Sequence, residues 1–154
     1  MLLIALISCN ISITAQSFGE DKIAFGNFLK RMYLANPFDG VKIVDDYNTK
    51  YIVSVISLEK VKYNNPSIMN RVAQVKSQSQ VNTFLNGATI NSDLIIKTTE
   101  SKSTSSIEST IETIESIREN SYGFSQGLEL LTNFENATGV RQVFVYMREI
   151  NQIK

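Results

Sequence analysis

VKIVDDYNTKYIVSVISL, Val41 to Leu58, is the stretch whose reading decides the fold. Two runs of β-prone residues, 41–47 and 51–58, flank Asn48-Thr49-Lys50, which is the signature of a hairpin. In the first run Val41 and Ile43 point one way, Lys42 and Val44 the other. The second run is apolar on both faces. A strand needs such a surface only when it is covered from both sides, so 51–58 reads as a central strand.

Helical patterns lie on either side of this hairpin. Upstream, residues 20–35 place Ile23, Phe28 and Met32, with Ala24 and Leu29 beside them, at helical spacing. Asp21 suits the positive end of the helix dipole. Asn36-Pro37 ends the helix, because the residue before proline avoids the α region. Asp39-Gly40 then turns the chain into the hairpin. Downstream, Asn65 can cap a helix, Pro66 fits its first position and Gly87 stops it. The stripe expected to face the core is Ile68, Val72, Val75, Val81, Phe84, Leu85 and Ala88. Arg71, Gln74, Lys76, Gln78 and Gln80 take the other face.

The rest of the chain continues in the same grammar. Residues 92–99 read as a strand and 102–106 as a Ser/Thr-rich loop. Residues 105–121 carry Ile107, Ile111, Ile114 and Ile117 at intervals of four, three and three, which favours a helix. Their Ile, Thr and Ser content permits a strand as well. A second hairpin, 128–134 and 142–149, closes the chain around 136–139. In its last strand Val143, Val145 and Met147 face one side, Phe144 and Tyr146 the other. The order is α-β-β-α-β-α-β-β. It specifies one α+β domain, a mainly antiparallel sheet with helices packed on one face.

Composition narrows the chemistry. The chain has 154 residues, 15 basic and 15 acidic, one Cys and no His or Trp. That length suits one domain with a sizeable core. Without His there is no Ser-His-Asp or Cys-His catalysis and no His-ligated zinc. A lone Cys9 makes neither an internal disulfide nor a thiolate cluster. Zero net charge gives no reason to expect nucleic acid, whose binding needs a basic surface. The charge is uneven, however. Residues 1–77 hold nine bases and six acids, net +3, and residues 78–154 the reverse, net −3. Ordinary scatter of charges explains such a split; read as a true polarity, it favours self-association or an acidic partner.

The first fifteen residues are a separate object. Leu2 to Ile7 is an uninterrupted apolar run, far shorter than the roughly 20 residues a membrane span takes. It reads as the apolar core of a secretory signal spanning 1–15, with residues 16–154 as the mature domain. Cleavage after Ala15 would leave Gln16 first, and this junction resembles signal ends of secreted proteins of the Bacteroidetes type. Alternatively, Leu6-Ile7-Ser8-Cys9 resembles a bacterial lipobox, and Cys9 would become a lipidated N-terminus. Membrane attachment follows only in the second case. In either case the chain is expected to be exported.

Candidate sites are few. Asp45-Asp46 is the most conspicuous acidic pair, but strand neighbours point to opposite faces and cannot share one substrate atom; the pair reads as solvated turn acids. Glu108, Glu112, Glu115 and Glu119 read as a solvated helix face that could also hold a cation. Lys60, Lys62, Arg71 and Lys76 gather near the start of the second long helix. Gly123 and Gly127 lack a phosphate-loop pattern and read as helix termination. The tyrosines 33, 47, 51, 63, 122 and 146 read as rim-of-core residues that could line a pocket. Asn136-Ala137-Thr138 is a formal glycosylation sequon. No residue is assigned as catalytic, cofactor-binding or metal-binding, and no cofactor is implied.

One pattern goes further. It runs from Asn70-Arg71-Val72-Ala73-Gln74-Val75-Lys76 through Leu85-Asn86-Gly87-Ala88-Thr89-Ile90 to Ser92-Asp93-Leu94-Ile95-Ile96. It resumes at Gly123-Phe124-Ser125-Gln126-Gly127-Leu128-Glu129-Leu130-Leu131 and ends at Val143-Phe144-Val145-Tyr146. Over residues 66–150 this resembles the small membrane-associated lipoproteins of Gram-negative envelopes, which include flagellar-sheath lipoproteins. It is also similar to the N-terminal domain of a flagellar outer-membrane ring protein. The helix departs from that family in carrying Val and Ser where Ala is usual. The resemblance implies an envelope protein without catalysis, acting by association with an envelope protein or with itself. The other expectation is a small-ligand binder or hydrolase of cone-like α+β type, its pocket lined by Tyr and Phe and its acid or base drawn from Asp45, Asp46 or Asp93.

Overall fold

The computed structural model of the chain describes residues 21–46, 49–98 and 107–150. The expected export segment with Cys9, the loop 102–106, and Tyr47 and Asn48 of the hairpin turn lie outside them. The elements are α1 (Lys22–Ala35), β1 (Gly40–Asp46), β2 (Thr49–Glu59), α2 (Pro66–Gly87), β3 (Ile95–Lys97), α3 (Ile107–Arg118), α4 (Ser121–Gln126), β4 (Glu129–Glu135) and β5 (Arg141–Ile150). They form the expected α+β architecture. One five-stranded sheet has the order β3-β1-β2-β5-β4, with β2 at its centre. All pairings are antiparallel except β1 with β3.

The apolar alternation read from the hairpins holds residue for residue. Val41, Ile43, Ile52, Ile56, Phe144 and Tyr146 face a core beneath α2, α3 and α4. Val44, Tyr51, Val53, Val55, Val143, Val145 and Met147 face a second core. That second core is closed by α1, which contributes Phe25, Leu29 and Tyr33. The helices were expected on one face; α2, α3 and α4 do share one, but α1 covers the other, which corrects that expectation. The reason is β2 and β5 themselves: both are apolar on both sides, and leaving one side wet would expose a broad apolar surface.

In two helices the buried stripe overlaps the expected one but is rotated from it: Leu29, Val81, Phe84 and Leu85 are buried as expected, and Phe28, Val72 and Ala88 pack half-buried against the cores. In α1, Ile23 is 79% exposed, while Phe25, Gly26, Leu29 and Tyr33 are buried. Both stripes have helical spacing. Gly26 decides between them, because a Cβ there would stand only 3.2 Å from Thr132 Cβ on β4. A side chain there would require Thr132 to give by a few tenths of an ångström. In α2 the buried residues are Ala73, Ser77, Val81, Phe84 and Leu85, and Ile68 and Val75 are 56% and 58% exposed. Small Ala73 and Ser77 allow the helix to approach β2, which turns the bulkier branched residues of its first half outward.

The remaining elements follow local chemistry. Asp21 and Asn65 cap α1 and α2, accepting from the Ala24 and Ser67 N–H groups. The expected strand 92–99 is shorter, since 92–94 form a 3-10 turn before β3. Residues 107–118 are helical, with Ile114 fully buried and Ile111 and Ile117 half-buried. Asn120 caps the short α4 and Gly127 ends it.

Ser77 adds a stability prediction. Its hydroxyl is buried and has no hydrogen-bond partner among the described residues. Replacing it with Ala removes an unsatisfied polar group and improves helix propensity. Ser77→Ala is expected to stabilise the fold by about 1 kcal/mol, read as a higher midpoint in urea.

Candidate functional site

Charged side chains are drawn beneath the surface at one end of the β1–β2 hairpin. Asp46 is fully buried and Lys50 is 7% exposed. The reading of Asp45-Asp46 as solvated turn acids is corrected here. The strands stay paired to Asp46 and Thr49, and Thr98 follows β3 alongside them, so this end of the sheet is covered.

The alternation of the strand separates the two acids. Asp46 is on the α1 side, where its Oδ1 accepts from the Thr98 hydroxyl at 2.7 Å. The neighbouring Asp45 carbonyl accepts from the Thr98 N–H at 3.1 Å. Asp45 pairs in register with Lys50, so both look toward the other face. Lys50 Nζ donates to Ser109 Oγ, at 3.1 Å, in the first turn of α3. The buried carboxylate and the buried ammonium thus tie β3 and α3 to the hairpin from opposite sides. They cannot converge on one reacting atom.

Two surface clefts accompany this scaffold. One, of about 380 Å³, is lined by Lys22, Tyr51, Gly127, Glu129, Met147, Arg148 and Glu149. Burial, Glu149 and Asp46 together push the Tyr51 phenol above its usual range. Lys22 and Glu129 form an exposed ion pair at 2.8 Å. The other cleft, about 280 Å³, lies between the end of α2 and α3, lined by Asn86 to Ile90, Ile111, Glu115 and Arg118. There Arg118 Nη2 donates to the Ala88 carbonyl at 2.8 Å, just past α2. Asp46, Lys50 and Ser109 line neither cleft.

The other candidates separate cleanly. Asp93 is exposed, and its backbone carbonyl accepts from Lys42 Nζ at 2.7 Å. Glu108, Glu112 and Glu115 are exposed along α3, and Glu119 is exposed in the turn just after it. Among the described residues no group of three or more carboxylates and thiols is placed to hold a metal ion. Lys60 pairs with Glu135 and Lys62 with Glu59. Arg71 and Lys76 stand exposed on α2, with no ion pair among the described residues. Asn136 of the sequon is half-buried and bonds Thr138 and the Arg141 N–H, which stabilises the β4–β5 turn.

The aromatic rings pack against one another. Phe25 meets Tyr51 at 5.1 Å, and Tyr33 meets Phe134 at 5.6 Å. Tyr33, Tyr51 and Tyr146 are buried, whereas Tyr122 is 70% exposed. Burial also raises the Tyr146 phenol. Its folded value lies above the unfolded one, so its contribution is complete below about pH 10 and is lost as pH rises through the folded value. Stability is expected to fall above about pH 10, and less steeply in Tyr146→Phe; urea midpoints across that range check this.

Three arginines were not legible as structural anchors. Arg118 and Arg148 reach helix-end carbonyls, and Arg141 donates to the Ser57 hydroxyl and carbonyl, both at 2.7 Å. Their partners lie at least 24 residues away. The one local signal was Arg118 in the last turn of α3, which suits the negative end of a helix. Among the described residues no helix is long and apolar enough to cross a membrane. No protein-family model matches this chain, and neither curated proteins nor solved structures match it.

Proposed function

We propose that this chain is an exported, envelope-associated domain that works by protein association rather than by catalysis. One observation carries the reading. The inner face of α2 is complete, yet its outer face presents Ile68 and Val75 more than half exposed. Apolar residues grouped on the outside of a well-packed helix favour a binding surface over a reactive site. The buried charges Asp46 and Lys50 support it too, since both are engaged in holding elements together. The export signal and the resemblance to envelope lipoproteins supply the compartment.

A photo-crosslinking residue at position 75 in the full chain, expressed in an envelope-bearing host, tests this. Adducts are expected from position 75 and not from exposed Ala137 in the β4–β5 turn. No adduct at 75 would overturn the association surface. Mass spectrometry of the processed N-terminus tests export. Gln16 or a diacylated Cys9 is the expected start, and an unprocessed Met1 would overturn it.

A further inference from the structure

Two helix faces of this molecule carry charge that nothing within the described residues balances. The first is the outer face of α2. Between Pro66 and Gly87 there is no acid, and Arg71 and Lys76 flank the exposed Ile68 and Val75. The nearby Lys60 pairs with Glu135, and Lys62 shares Glu59 with Arg141, so the cations here with no carboxylate partner among the described residues are Arg71 and Lys76. The second is α3 with the turn just after it. Glu108, Glu112, Glu115 and Glu119, at intervals of four, three and four, fall on one exposed ridge. Carboxylates at those spacings repel one another. None of the four forms an ion pair among the described residues, and Arg118 of the same helix donates to Ala88 rather than to them.

Resting on the association reading above, we propose that copies of this chain assemble head to tail, the acidic ridge of α3 in one copy seating on the basic, partly apolar face of α2 in the next. Charge complementarity favours this arrangement over contacts between two like faces. Two α2 faces meeting each other would oppose like charges at Arg71, and two α3 ridges would oppose glutamates. An α2 face against an α3 ridge neutralises both, and the methylene stems of the glutamates can cover Ile68 and Val75. Because the two surfaces differ, the contact is heterologous. Repetition yields a ring if the rotation closes and a filament if it does not.

Sedimentation velocity of the full chain, at rising concentration and at low and high salt, reads the assembly directly. The wild type is expected to associate at low salt and to dissociate as salt rises. Arg71→Glu with Lys76→Glu, and separately Glu112→Lys with Glu115→Lys, should each weaken association by at least about tenfold. Both pairs change exposed residues, and circular dichroism checks that each variant is folded. Mixing the two charge-reversed variants is the decisive arm. Each then offers the other a complementary face, and assembly is expected to return. A wild type that stays monomeric, or binds only anionic lipid vesicles, overturns the proposal. So does association that ignores both charge reversals, or a mixture that remains monomeric. A monomeric wild type that still crosslinks through position 75 would remove self-assembly and leave the association reading standing.

Discussion

Phe25→Ala is expected to destabilise the domain by about 3–5 kcal/mol, and Ile23→Ala by less than about 0.5 kcal/mol. The two residues flank Ala24 on the same helix. Phe25 is 1% exposed and meets the Tyr51 ring at 5.1 Å, whereas Ile23 is 79% exposed. Truncating Phe25 removes a large buried ring and leaves a cavity between α1 and the strands, which the sheet cannot collapse to fill. Truncating Ile23 removes a side chain that faces mostly water. Urea denaturation of both variants checks the pair. Comparable destabilisation would mean that α1 packs on the Ile23, Phe28 and Met32 stripe instead.

Arg148→Ala is expected to cost about 2–4 kcal/mol, because it removes charge-assisted hydrogen bonds and a cation–π interaction at once. The Arg148 guanidinium donates to the Gly123 carbonyl at 3.0 Å and also to the Phe124 carbonyl. It lies 4.5 Å from the centre of the Phe124 ring. One side chain on β5 therefore satisfies carbonyls of α4 and holds its aromatic anchor. Gly127 leaves room for it, since a Cβ there would overlap the guanidinium. Arg148→Lys should recover only part of this stability, because an ammonium lacks the planar fork that serves two carbonyls while stacking. Thermal or urea unfolding of the three proteins gives the ranking. Equal stability of the Lys variant and the wild type would reduce the role of Arg148 to charge alone.

The candidate site was legible only in part. That Asp45 and Asp46 cannot act together followed from the alternation of side chains along a strand, and they do lie on opposite faces. That Asp46 is withdrawn from solvent did not follow, because the Thr98 hydroxyl that meets it comes from 52 residues away. The Lys50 hydrogen bond to Ser109 likewise joins residues 59 apart. The exposed glutamate ridge of α3 was visible as spacing alone, since its opposite face carries Ile114 and needs no distant partner to be recognised.

By itself the sequence determined both hairpins, the first two helices, the α+β class and the central place of β2; it left 105–121 open between helix and strand and did not reveal α4. These rest on local periodicity, caps and turn residues, and on apolar runs that demand cover on both sides. Tertiary structure decided how far each apolar stripe of α1 and α2 is rotated, turning Ile23, Ile68 and Val75 outward while Leu29, Val81, Phe84 and Leu85 stay buried as expected. Hydrophobicity gave each helix more than one suitable stripe. The choice fell to closeness of approach, at Gly26 against Thr132 and at Ala73 and Ser77 against the sheet. Small residues, invisible to a count of apolar side chains, set how near a helix can come. Their packing leaves Ile68 and Val75 on the outside of α2, where the proposed association takes place.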